Sequence, residues 1–158
     1  MWDVFFVFVA MAASGAPSER QNVVAAVPAP AGLIAEDQTP TGKFTTATEV
    51  KPIIAMTESS WVAVREWEGQ DLIYVTHLWA WRCGLAQMEV SINDSAFEIW
   101  PLPPCHVDTA QPNGITDSDG APYRTFDLNS VQNLSVKLTF YDLTTQEASF
   151  ERKAVLLP

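Results

Sequence analysis

After Phe44, apolar and polar residues alternate along most of the chain with period two, and turn residues break the pattern. Strands with one face in a core show that signature. No stretch shows a sustained helical period. Phe44 to Thr57 is rich in β-branched residues and reads as one or two strands around Pro52. Trp61 to Trp67 and Leu72 to Trp81 read as the next pair, joined through Glu68-Gly69-Gln70-Asp71. Glycine at the first central position suits a two-residue type II′ turn. That turn pairs Trp67 with Leu72, Arg65 with Tyr74, Val64 with Val75 and Val62 with His77. One face then carries Val62, Val64, Ile73, Val75, His77, Trp79 and Trp81. The other carries Trp61, Arg65, Trp67, Leu72, Tyr74, Thr76 and Leu78. A strand pair with large side chains on both faces lies inside a sandwich or shows one face to a partner.

The next hairpin is more regular. Met88, Val90 and Ile92 alternate with polar residues, Asn93-Asp94-Ser95 turns the chain, and Phe97 and Ile99 return. Pairing Ile92 with Phe97 and Val90 with Ile99 puts every apolar residue on one side, and a one-residue slip exposes the set. Pro101, Pro103 and Pro104 end the strand, because proline cannot donate to a ladder. Residues 106–122 are polar and loop-like. Tyr123 to Leu128, then Leu134 to Phe140, then Ala148 to Leu157 read as the closing strands, with Thr144-Thr145 as a turn. The expected fold is all-β, an antiparallel sandwich or barrel of about seven or eight strands over residues 44–158.

The N-terminal part differs in kind. Val4 to Ala13 is a short apolar run followed by Ala13-Ser14-Gly15, a small-x-small cleavage pattern. The run is shorter than the ~20 residues of a membrane-spanning helix, so residues 1–15 read as a signal peptide. The start Met1-Trp2-Asp3 lacks the usual basic residue. Residues 16–43 carry repeated Pro and Ala and read as a linker. The expected location is therefore periplasmic or secreted, with no integral membrane segment in the mature chain.

The formal net charge of −10 argues against nucleic acid and against anionic membrane surfaces, because both need a basic patch. The four lysines and five arginines are scattered. The stretch from Thr48 to His106, with WVAVREWEGQDLIYVTHLWAWRCGL and IWPLPPCH, resembles a small family of uncharacterised exported proteins of alphaproteobacteria. The resemblance covers little more than a third of the chain. It implies export and carries no known activity, so it transfers no site.

Cys83 and Cys105 are the only cysteines. Extending the Met88–Ile99 register backward sets Cys83 opposite residue 106 or so, within reach of Cys105. Outside the cytoplasm this reads as a disulfide. The rival is a metal site of His77, Cys83, Cys105 and His106, a set with the right chemistry for zinc or copper but no zinc-finger spacing. Asp117-Ser118-Asp119-Gly120, with Asp108, invites calcium. The EF-hand ligand positions fail there, and a solvated turn is the simpler reading.

Trp61, Arg65, Trp67 and Tyr74 share one predicted face. Such a set packs in a core, forms a protein interface, or binds a glycan by ring stacking with hydrogen bonds from arginine. No nucleophile elbow, P-loop or metalloprotease motif is present, and no cofactor is indicated. The function read from the sequence is a non-enzymatic exported domain that binds a protein or a glycan, with metal binding through the Cys/His set as the alternative.

Overall fold

A computed structural model describes residues 31–158. The expected signal peptide, and residues 16–30 of the expected linker, lie outside the described residues. Seven strands form two antiparallel sheets stacked as a sandwich; they do not close into a barrel. The strands are β1 (Ala63–Trp67), β2 (Gln70–Tyr74), β3 (Leu85–Ile92), β4 (Glu98–Ile99), β5 (Tyr123–Asp127), β6 (Asn133–Phe140) and β7 (Thr145–Glu151). The smaller sheet runs β1-β2-β5 and the larger runs β4-β3-β6-β7. Between them lie Val64, Ile73 and Val75 from one side, and Met88, Val136, Leu138 and Phe140 from the other, all fully buried.

Where strands were expected around Pro52, the chain forms a helix, α1 (Ala47–Met56). Thr46 caps its start, and Glu49 closes a reciprocal capping box with it. Ala47, Val50 and Ile54 form its buried stripe, at helical spacing. Burial would raise the Glu49 carboxyl. Hydrogen bonds from the Thr46 hydroxyl and from backbone amides at Gly42 and Thr45 outweigh that and hold it at about 2. The preceding segment is tied down too. The Glu36 amide donates to Tyr141 O at 2.9 Å, and the Ala47 amide donates to Gln38 Oε1 at 2.6 Å.

The first hairpin is real, but its turn is Glu68-Gly69, with φ of 49° and 76°. Two central residues at positive φ make a type I′ turn, whose twist suits adjacent strands. The register is therefore Trp67 with Gln70, Arg65 with Leu72 and Ala63 with Tyr74, two residues away from the expected one. The second strand also ends early, at Tyr74. Thr76–Trp79 forms a short helix, α2, so the adjacent Leu78 and Trp79 are both buried, which strand alternation forbids.

The return strand of the next hairpin has slipped by one residue. Glu89 pairs with Ile99, and Val90 with Glu98. Asn93-Asp94 is a two-residue turn with φ of 53° and 59°, and the return strand then carries one extra residue before pairing begins. Ile99 consequently faces solvent at 60% exposure, and Trp100 enters the core instead, at 4%. At the C-terminal end, β7 stops at Glu151 and Arg152–Val155 forms a short helix, α3, in place of a continued strand. The tail then runs beside β1, and the Leu157 amide donates to Val64 O at 2.7 Å. That bond satisfies a carbonyl on an otherwise open sheet edge. Among the described residues no helix is long and apolar enough to cross a membrane.

Candidate functional site

The two outer sheet faces differ in chemistry. On the larger sheet the outward residues are chiefly polar and paired with one another. Lys137 reaches Glu89 at 3.0 Å, and the Ser135 and Ser149 hydroxyls bond at 2.7 Å. On the smaller sheet three of the nine residues on the outer face are aromatic, and Leu72, another of the nine, is buried. Its ladder sets Ala63, Tyr74 and Tyr123 in one row, Arg65, Leu72 and Thr125 in the next, and Trp67, Gln70 and Asp127 in the third.

This face brings three of the four predicted binding residues together. The Arg65 guanidinium lies over the Trp67 ring, 4.3 Å from its centroid, a stacked cation–π pair. Tyr74 meets Tyr123 across strands at 5.2 Å between ring centroids. Trp67 and Tyr123 remain 49% and 40% exposed. Among the described residues no carboxylate lies in ion-pair range of Arg65.

The fourth predicted residue, Trp61, does not belong here. It follows a 3-10 turn, Glu58–Ser60, ahead of β1 and is buried in the core. Its Nε1–H donates to Ile54 O at 2.9 Å, and its ring packs edge-on against Phe150. Tyr123 takes its place on the face. Sequence reasoning missed Tyr123, because only the β2–β5 pairing brings it there.

At the Ala63 end the face opens into a cleft of about 380 Å³. Ala63 is the smallest side chain on the face and leaves the depression. Arg65 and Tyr74 form one wall; Ser60, Thr76 and His77 form the rim, with Leu157 of the tail beside them. His77 Nε2 lies 2.7 Å from Thr57 Oγ1. The one hydrogen of that hydroxyl goes to Ile53 O at 2.7 Å, so His77 Nε2 must be the donor. In the neutral ring Nδ1 is then a bare acceptor. Burial pushes the His77 pKa below its ordinary value, which favours this neutral form.

The remaining predicted residues have structural partners. Cys83 and Cys105 form a disulfide with a Cα–Cα distance of 5.0 Å, and no free cysteine remains among the described residues. The disulfide removes both thiolates from the proposed ligand set, and the two histidines engage different neighbours. No group of three His, Cys, Asp or Glu is placed to hold a metal among the described residues. His106 Nε2 contacts the Asp119 carboxylate at 3.0 Å. Asp119 is not solvated, as a simple turn would have it. That carboxylate also receives the Thr116 amide and faces Arg82 at 3.5 Å. The His106 bond, then the Thr116 bonds and the Arg82 charge, hold it at about 2.

A second cleft, of about 240 Å³, runs along β3 beside Pro101–Pro104. Its one charged lining residue is Arg82, whose five N–H donors are all committed. They reach the carbonyls of Trp79, Asn113, Pro104 and Gly114 and the Asp119 carboxylate. The aromatic face is the better candidate, because Arg65 keeps its donors. Comparison of the chain with protein-family models, curated proteins and solved structures gives no match.

Proposed function

We propose that this chain is a non-enzymatic binding domain that works outside the cytoplasm, and that the outer face of β1-β2-β5 is its ligand surface. One observation carries the reading: Arg65 is held on the half-exposed Trp67 ring with no acidic partner among the described residues, beside an open cleft. An exposed aromatic set around an unpaired cation is a costly surface for a chain to keep if nothing covers it. The disulfide supports export, since such bonds persist in oxidising compartments. Among the described residues the cleft lining includes no Asp or Glu, so they do not supply the paired carboxylates of glycoside hydrolysis. That favours binding over turnover.

The test is an amide-resolved NMR titration with a panel of neutral sugars, sugar acids, small carboxylates and short acidic peptides. Saturable shifts that map to β1, β2 and β5 support the proposal. Saturable shifts confined to other surfaces, or no binder in the panel, overturn it.

A further inference from the structure

The cleft carries more information than the face as a whole. Arg65 offers a planar fork of donors, the geometry that matches a carboxylate with two parallel bonds. Among the described residues it is the only charged one lining the cleft apart from the titratable His77. Tyr74 and Ala63 give an apolar wall beside it. Ser60, Thr76 and His77 make the rim polar. A simple carboxylate leaves that rim unpaired, and a neutral sugar leaves Arg65 unpaired. A hydroxylated ring with one carboxylate uses all of it. The volume, about 380 Å³, lies at the small end of the roughly 300–1,000 Å³ of ligand clefts.

Charge narrows the choice further. The chain carries −10, and the cleft supplies one compensating arginine. A polyanionic chain would bring many like charges within the Debye length of about 8 Å at physiological salt. A single anion brings one, and Arg65 meets it.

We infer that the cleft takes a monoanionic sugar acid, a free hexuronate, with its carboxylate on Arg65, a ring face on Tyr74 and its hydroxyls on the rim. This rests on the binding-domain proposal above and names its ligand class. The experiment is the same NMR readout with five probes: glucuronate, glucose, acetate, an oligogalacturonate and a short acidic peptide. Glucuronate is expected to shift the amides of Ala63, Arg65, Tyr74 and His77 saturably. Its dissociation constant should lie at least about tenfold below those of glucose and acetate, as a charge-assisted bond added to the ring contacts requires. The oligomer should bind more weakly than the monomer. Arg65→Gln should remove the preference for glucuronate over glucose while leaving the urea midpoint unchanged.

Equal affinity for glucose and glucuronate overturns the inference, as does tighter binding of the oligomer. Shifts at the same amides by an acidic peptide, with none by glucuronate, overturn the sugar acid and leave the ligand surface standing. Silence of the face toward every compound overturns both.

Discussion

Removing the Cys83–Cys105 bridge tests how the long loop between β4 and β5 is held. The two cysteines are separated by 22 residues. In the chain-entropy model a loop of that size restricts the unfolded chain by about 11 cal/mol/K, or about 3 kcal/mol at 25 °C. The figure applies only if the native state keeps its shape without the bridge. Arg82 gives the reason to expect that: it bonds the carbonyls of Pro104, Asn113 and Gly114 independently of the sulfurs. The Asn113 side chain adds two more ties, accepting from the Cys83 amide and donating to Phe44 O. The double variant Cys83→Ala/Cys105→Ala should therefore lose about 3 kcal/mol in urea unfolding. Its m-value should rise, because the uncrosslinked unfolded chain exposes more surface. Amide spectra of the folded variant should change only near residues 83 and 105. A loss below about 1 kcal/mol would refute the entropic account. Collapse of the resonances of residues 106–119 would refute the role given to Arg82.

The same unfolding assay checks four further expectations. Arg82→Met leaves four carbonyls without their donor and should cost about 3 kcal/mol or more, with faster amide exchange over residues 104–119. A Cβ on Gly84 would stand 2.7 Å from Val50 Cβ and 3.0 Å from Thr46 O; Gly84→Ala should cost about 1–3 kcal/mol. Trp61→Ala should lose about 3–5 kcal/mol, whereas Trp67→Ala should stay within about 1 kcal/mol, because one ring is core and the other is half exposed. Asp119 and Glu49 drop from 3.8 and 4.5 to about 2 on folding, so their stabilisation is complete above about pH 5 and is lost as pH falls toward 2. His77 has a folded pKa below 6.5, so the unfolded chain takes up its proton first and stability begins to decline slightly below that pH. A urea midpoint that is flat from pH 7 to pH 2 would contradict both.

The strands that local pattern identified are those whose two faces meet different surroundings. Leu134, Val136, Leu138 and Phe140 are all buried, and Ser135 and Lys137 between them are not. The pattern failed at α1 because Val50, Ile53 and Ile54 are β-branched and Pro52 interrupts them. Two readable signals outweighed those propensities: Thr46-x-x-Glu49, and the spacing of Ala47, Val50 and Ile54. It failed at β4 for another reason. A two-residue turn followed by one extra residue moves every later side chain to the opposite face. Phe97 and Ile99 moved outward and Trp100 moved in, and hydrophobicity alone could not choose between the two sets. The disulfide survived that error because the loop after Trp100 still brings the Cys83 and Cys105 Cα atoms to 5.0 Å, inside the range of about 4.4–6.8 Å that a bridge spans.

The grouping of residues on the proposed binding face was legible for a reason that also sets its limit. Moving the first hairpin by two residues changes every partner, yet it leaves each side chain on the same face, since a strand has period two. Arg65, Trp67 and Tyr74 therefore share a face in the wrong register as well as in the right one. That protection ends where the ladder ends. Its first rung is Ala63 with Tyr74, so the alternation carries no authority over Trp61, which a 3-10 turn rotates into the core. Nor does alternation say which strand lies alongside. Tyr123 reaches Tyr74 only after the chain has crossed to the other sheet and returned, with Arg82 and the disulfide holding the intervening loop. Arg82→Met, which frees that loop as removal of the bridge alone does not, should therefore disturb the Tyr74–Tyr123 pair and weaken binding at the proposed face in the NMR titration, although Arg82 does not line its cleft.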